Sequence, residues 1–436
     1  MKFKQIQDII NNADKSIAKK QEVAIHGWIW RERNISDLKF IVLRDSSNHI
    51  QCIIDKAKTP ELFDLVKNLR IETSMEIFGK LRKEAKAPNS YEIDVTKVNI
   101  IGRCDNFPIA KDFSPEFLMS VRHLWLRSRK MNAILKIRST IFGAIHDYFR
   151  KNKFYEYHSP IFQGMQAEGG STLFKVDYFG KPIYLSQTWQ LYAEAAIFSL
   201  ENIYTISPCF RAEKSKTNRH LTELWMCEME QAWCEFDDII DHGTKLLKHV
   251  VKKVLDTNMP ELEILKRDTK TLKATVDNDF IKMTYDDALK ILAEKCNMKV
   301  KWGKDLRTIE EEKLTKLYNV PIVVINYPKQ VKAFYMKEVP GNPDVVQGCD
   351  FLAPEGYGEI IGGSQREEDL EKIKERLIDQ GEDPKDYSFY LDLRKYGSVP
   401  HGGFGMGVER IIAWICGLDT IKDAIAFPRT MLVSKP

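Results

Sequence analysis

The sequence predicts an α+β chain of two units: a small barrel of five strands at the N-terminus, and a larger unit in which helices flank an antiparallel sheet. Three observations carry this reading. Residues 1 to about 105 hold short segments of alternating polarity, broken by one helical pattern. Residues 210 to 233, FRAEKSKTNRHLTELWMCEMEQAW, read as a strand, a charged turn-rich loop and a second strand in which Leu224, Met226, Glu228 and Glu230 share one face by period two. Residues 397 to 429 place a glycine-rich strand, HGGFGMG, directly before an apolar helix.

Composition bounds the function classes. A chain of 436 residues, 43% apolar and 11% aromatic, has material for two or three folded cores. Its net charge is only +4 from 66 basic and 62 acidic side chains, so a nucleic-acid surface must be a local patch rather than a global basic field. The cysteines at 52, 104, 209, 227, 234, 296, 349 and 416 form no CxxC pair and no zinc spacing, which predicts free thiols in a reducing compartment. The opening MKFKQIQDIINN lacks an apolar core, and no run of about 18 apolar residues occurs. A soluble cytoplasmic protein is the expectation.

In chain order, a short helix is followed by strands at VAIHGWIWR, KFIVLRD, HIQCIIDK, MEIFGKLRKE and YEIDVTKVNII, with PELFDLVKNLR as the helical interruption. Five strands and one helix predict an OB-fold. The outer face of its first strands offers Trp28, Trp30, Arg31, Arg33, Phe40, Arg44 and Gln51 for stacking on unpaired bases and holding their backbone. Of these, Trp28 is assigned to the core. The proline-bearing stretch GRCDNFPIAKDFSPEF lacks periodicity and reads as a hinge, set at 106–125 between a barrel of 1–105 and a second domain of 126–436. From Arg122 to Phe154 the pattern is one long amphipathic helix, followed by YEYHSPIF as a strand.

Small residues at Gly169, Gly170 and Ser171 permit a closing loop. Residues 237–320 read as a helical insertion with a capping box at Thr284 and Asp287 and no visible chemistry. Beyond it, GCDFLAPEGYGEIIGGSQR sets Asp350 and Glu359 on strands flanking a Pro/Gly turn, with Arg366 further along. Phosphate-binding glycine motifs of the P-loop or dinucleotide type are missing, so a nucleotide would have to be held against the antiparallel sheet. There the hairpin gathers Arg211, Glu213, Lys214, Lys216, Arg219 and His220, cations placed for a polyphosphate.

The string RAEKSKTNRHLTE resembles motif 2 of the class II aminoacyl-tRNA synthetases in the pattern of their aspartyl/asparaginyl subgroup. GSVPHGGFGMGVERIIAW is similar to their motif 3, and the helix, strand and Pro160 to motif 1. The resemblance runs over nearly the whole chain and is weaker from about 237 to 320. It implies ATP-dependent charging of a tRNA through an aminoacyl-adenylate, Mg²⁺ and a homodimer. It gives Arg211 the α-phosphate and the amino-acid carboxylate, Arg219 and His220 the outer phosphates, and Glu213 the adenine side. Arg410 takes the γ-phosphate and stacks under the adenine, so that Arg211 and Arg410 carry the catalysis. Leu224 stands where the family usually shows a phenylalanine on the adenine. Glu359 and Asp350 are the implied magnesium ligands, Glu359 the firmer of the two because the spacing between them is slightly longer than in aspartyl enzymes. Glu168 and Gln190 would hold the backbone groups of the amino acid, and Arg366 its side chain. Arg33, Phe40 and Gln51 fall at anticodon-contacting positions.

The choice of amino acid rests on two positions. QLYA at 190–193 puts Ala193 where aspartyl enzymes carry a charge-neutralising lysine, and Glu228 stands where they carry aspartate. Asparagine and tRNA(Asn) are therefore the expected substrates. Gly402 pulls weakly toward the aspartyl side. The alternatives are an aspartyl enzyme, including one that also charges tRNA(Asn), and an inactive paralogue that binds RNA.

Overall fold

Alternation of buried and exposed side chains rolls the N-terminal segment into a closed barrel in the computed structural model, which describes residues 2–109, 113–164, 173–215 and 217–435. Its strands are β1 (Glu22–Ile35), β2 (Leu38–Arg44), β3 (His49–Asp55), β4 (Ser74–Lys83) and β5 (Tyr91–Gly102), in the order β1-β2-β3-β5-β4. Only β3 and β5 pair in parallel. Ile25, Ile41, Leu43, Ile50, Ile54 and Ile77 fill the interior. Two short helices, α1 (Ile6–Asn11) and α2 (Ala13–Ala18), precede the barrel, and α3 (Pro60–Val66) crosses between β3 and β4. This is the predicted OB-fold.

The chain divides between Leu118 and Met119, inside the short helix α4 (Pro115–Ser120). The single helix expected from Arg122 is instead two: one turn, α5 (Arg122–Trp125), and then α6 (Arg129–Lys151). Ser128 makes the break, its hydroxyl accepting from the Met131 N–H at 3.2 Å as an N-cap. The expected strand YEYHSPIF shrinks to β6 (Tyr155–Glu156) and β7 (Phe162–Gln163), with Pro160 between them unable to donate to a ladder. A small sheet follows, β7-β9-β8, from β8 (Lys175–Tyr178) and β9 (Lys181–Leu185).

The main sheet takes strands from the rest of the larger unit. In chain order the elements are α7 (Gln190–Leu200), β10 (Asn202–Phe210), β11 (Glu223–Ala232), α8 (Phe236–Thr257), α9 (Met259–Ile264), α10 (Lys270–Asp277), β12 (Ile281–Thr284), α11 (Tyr285–Cys296) and α12 (Thr308–Thr315). They continue with β13 (Ile322–Pro328), β14 (Glu338–Val339), β15 (Asn342–Ala353), β16 (Gly358–Gln365), α13 (Leu370–Asp379), α14 (Ser388–Lys395), β17 (His401–Gly407) and α15 (Val408–Cys416). The order is β12-β13-β15-β16-β17-β11-β10-β6, with β14 alongside β15. From β13 to β10 every pairing is antiparallel, and the two outermost pairings are parallel.

Helices α6, α8 and α15 cover one face of this sheet in a single apolar core, with Ile141, Ile145, Leu246, Val250, Ile411 and Trp414 fully buried. Helix α8 is thus structural core rather than part of an insertion, whereas α11 and α12 pack with β13 in a cluster of their own. Thr284 and Asp287 form the predicted capping box. Strand β17 lies between β11 and β16, and a Cβ on Gly403 would come 2.1 Å from the Met229 carbonyl oxygen. That is why its motif is glycine-rich. Buried Arg122 ties the start of this unit to its end: it donates to the carbonyls of Lys422, Ile425 and Ala426 at 3.0, 2.9 and 2.9 Å and to the Asp423 carboxylate at 3.0 Å. Among the described residues, no helix is long and apolar enough to cross a membrane. All eight cysteines are free.

Candidate active site

Period two along β11 aims its alternate side chains at the open face of the sheet, opposite the face that the helices cover. Two adjoining cavities lie there. The larger, about 750 Å³, is lined by Gln190, Glu228, Glu230, Lys332, Asp350 and Arg366 among others. The smaller, about 90 Å³, is a slot lined by Glu213, Arg219, His220, Leu224 and Arg410. Arg211 and Glu359 line both. Arg211 therefore stands where the two spaces meet, the position from which one guanidinium can hold a group in each.

In the slot, Arg211, Glu213, Arg219 and His220 belong to the 211–222 loop rather than to a strand, although the Arg211 N–H still donates to the Thr222 carbonyl at 3.0 Å. Burial holds the His220 imidazole below its ordinary pKa despite Glu213 at 3.4 Å. Leu224 packs at the edge of the main core and lines the slot with Gly405 and Arg410. Arg410 donates to the Glu359 carboxylate at 2.9 Å.

The acids on β15 and β16 converge. A Cβ on Gly362 would lie 3.0 Å from Glu359 Oε1 and 3.5 Å from Asp350 Oδ1, so the two carboxylates approach one another over a bare backbone. Burial pushes the Asp350 carboxyl up to about 6, with Lys332 at 2.8 Å pulling it back and Glu359 adding to the rise. Hard oxygen donors facing each other in this way fit a divalent cation such as Mg²⁺.

Deeper in the large cavity, Arg366 does not wait as an open cation. It donates twice to Glu230, at 2.9 and 2.8 Å, and once to the Ser364 hydroxyl at 2.7 Å. Burial works against its charge, but Glu230 and then Glu194 more than restore it, and its pKa is raised. The Glu228 carboxylate accepts from the Trp189 N–H at 2.9 Å and from the Thr188 hydroxyl, fixing the start of α7. Gln190 donates to Glu194 at 2.9 Å. Behind it, Glu194 accepts from Arg394 at 2.5 Å and Tyr390 at 2.7 Å, with His401 Nε2 at 3.1 Å. Burial alone would raise the Glu194 carboxyl; Arg394, then His401 and Arg366, outweigh it and hold the pKa well below the usual range.

Three sequence expectations change. Ala193 does not line the cavity: its methyl is fully buried among Trp189, Ile197, Ile203 and Ala232, so it is a helix-packing residue. Trp28 is not core but 42% exposed, with the Arg44 guanidinium 5.4 Å from its ring centroid. It shares the outer barrel face with Arg33 and Phe40, which pair across β1 and β2 and stack cation on ring at 4.6 Å. Gln51 lies on that face through its pairing with Val42 but is only 7% exposed, its amide donating to Glu92 at 2.7 Å. Glu168, the loop residues Gly169, Gly170 and Ser171, and Lys216 lie outside the described residues. The sequence reading missed Glu230 and Lys332, which line the large cavity, and the buried group of Glu194, Arg394 and His401 behind it. Glu230 alone carried a signal, its period-two place beside Glu228.

Comparison with known proteins defines the class. The family described as tRNA synthetases class II (D, K and N) matches residues 114–431, and that described as OB-fold nucleic acid binding domain matches 23–101. The chain belongs to the class II aminoacyl-tRNA synthetases. It is 47% identical to the asparagine–tRNA ligase of Thermococcus gammatolerans over 94% of this chain and 95% of that one, and 46% identical to that of Thermoplasma acidophilum over 95% and 96%. The solved asparaginyl-tRNA synthetase of Pyrococcus horikoshii, complexed with asparaginyl-adenylate, superposes with a TM-score of 0.95 at 42% identity, covering all of both chains. Within the class, the family is that of the asparagine–tRNA ligases.

Proposed function

We propose that the chain joins asparagine to tRNA(Asn) in two steps. The asparagine carboxylate attacks the α-phosphorus of ATP and pyrophosphate leaves, giving asparaginyl-adenylate. The 3′-hydroxyl of the terminal adenosine of the tRNA then attacks the adenylate carbonyl, and AMP leaves. The observation that carries this reading is Arg211 at the junction of the slot and the large cavity. Two anions repel as they approach, and a cation touching both lowers that barrier most where their charge is shared. Arg211 fills this role; Arg219 and Arg410 neutralise the outer phosphates, and His220 donates a hydrogen bond to them. Leu224 covers the adenine without the stacking contribution of a ring. Glu359 and Asp350 would hold Mg²⁺, which supplies further charge neutralisation on the phosphates.

Asparagine is preferred because Glu228 and Glu230 present carboxylates to the end of the cavity that holds Arg366. A carboxamide can donate to such oxygens, whereas the carboxylate of aspartate would meet like charge. Arg33 and Phe40 form the anticodon platform, with Trp28 beside them. A homodimer fits the exposed apolar side chains Tyr155, Ile161 and Phe162 of the segment similar to motif 1, and a cytoplasmic setting fits the eight free thiols.

Pyrophosphate exchange with asparagine and aspartate side by side tests the reading. Exchange with asparagine, at least about a hundredfold above aspartate, supports it. Equal rates would make the chain a non-discriminating aspartyl enzyme, and silence with both would make it an inactive RNA-binding paralogue. Arg211→Ala is expected to abolish exchange while leaving tRNA binding close to wild type.

A further inference from the structure

The segment between α11 and β13, in which the sequence shows no chemistry, touches two residues that line the nucleotide slot, Arg219 and Glu359, through Glu311. Glu311, at the end of the first turn of α12, has a side chain only 14% exposed. Its Oε2 accepts from Arg219 Nη1 at 3.2 Å and from the Glu359 N–H at 3.1 Å. Arg219 Nη2 in turn donates to the Gly356 carbonyl. One carboxylate thus gathers three pieces of chain: α12, the start of β16 and the 211–222 loop. A Cβ on Gly358 would lie 2.3 Å from Glu311 Oε2 and 2.6 Å from Arg219 Nη1, so the turn carries no side chain where these two groups meet.

The guanidinium of Arg219 has two usable edges. The edge bearing Nη1 and Nη2 is taken up by Glu311 and the Gly356 carbonyl, while no partner among the described residues holds Nε. Arg219 lines the slot together with His220 and Arg410. Without Glu311, a long side chain on a loop would have many rotamers to lose on binding a phosphate. We propose that Glu311 is a positioning residue for the nucleotide, gripping one edge of Arg219 so that the other is presented to the outer phosphates of ATP. This rests on the ATP reading above. A carboxylate beside the phosphates could also act as their competitor for Arg219, but two donors already satisfy Glu311, and the guanidinium has hydrogens to serve both anions.

The experiment measures binding of a non-hydrolysable ATP analogue by calorimetry, together with KM and kcat in asparagine-dependent exchange. Glu311→Ala is expected to weaken analogue binding and raise the KM for ATP by about tenfold, the worth of one charge-assisted hydrogen bond. The KM for asparagine and kcat should move by less than about threefold. Glu311→Gln keeps an oxygen for both donors and should recover most of the loss. In an Arg219→Ala background, Glu311→Ala should add almost nothing, since its effect passes through Arg219. Unchanged or tighter analogue binding in Glu311→Ala would overturn the proposal. So would losses that multiply in the double variant, or an equal rise in the KM for asparagine. Analogue binding by a wild-type protein that shows no exchange with asparagine would sink the asparagine reading while leaving this one standing.

Discussion

Arg394, Tyr390, His401 and Gln190 converge on the fully buried carboxylate of Glu194. Its folded pKa lies below the ordinary value of 4.5, so it contributes stability that is fully present above that value and lost as pH falls through the folded one. Glu194→Gln leaves Arg394 buried without its counter-charge. The expected cost is about 3 kcal/mol, together with a flatter decline of melting temperature below about pH 4.5 than the wild type shows. Thermal melts of the two proteins from neutral to acid pH read both quantities; identical acid limbs would remove Glu194 from the charge balance. Nothing in QLYAE marks this residue, because Tyr390, Arg394 and His401 come from α14 and β17, some 200 residues away. Glu230, by contrast, was legible beside Glu228 from alternation alone, although its pairing with Arg366 was not.

At the scale of elements, motif and period determined more than boundaries did. The hairpin, the glycine strand with its helix, and the five barrel strands could each be read from residues that lie next to one another. Helix α6 could not be delimited, because Ser128 suits a helix interior poorly only when its hydroxyl finds a backbone partner. The barrel face shows the same limit. Alternation puts Phe40 and Gln51 on one surface, yet it does not reveal that Glu92 on the parallel neighbour β5 closes over Gln51. Phe40 remains half-exposed under the Arg33 guanidinium. Phe40→Ala should weaken tRNA charging by about 1–3 kcal/mol, one lost base stack, and leave tRNA-free exchange untouched. An unchanged KM for tRNA would assign the ring to packing alone.

For the whole molecule, the barrel interior and the core beneath the main sheet share no residue. Damage to one should therefore be confined to it. Ile50→Ala, in the barrel, is expected to cost about 2–5 kcal/mol of barrel stability while exchange without tRNA keeps its wild-type rate. Calorimetry paired with the exchange assay checks this, and a parallel loss of exchange would mean that the two cores unfold together.

The larger unit is fastened by the guanidinium of Arg122, whose four acceptors lie some 300 residues downstream, at Lys422, Asp423, Ile425 and Ala426. On a ribosome those acceptors are made some 300 residues after Arg122. The barrel can fold while synthesis is under way, but the larger unit remains unlatched until residues 422–426 emerge. Until then the nascent chain holds a buried-type arginine with no carbonyls to receive it. Folding of the larger unit is thereby tied to the arrival of a segment made long after its first helices.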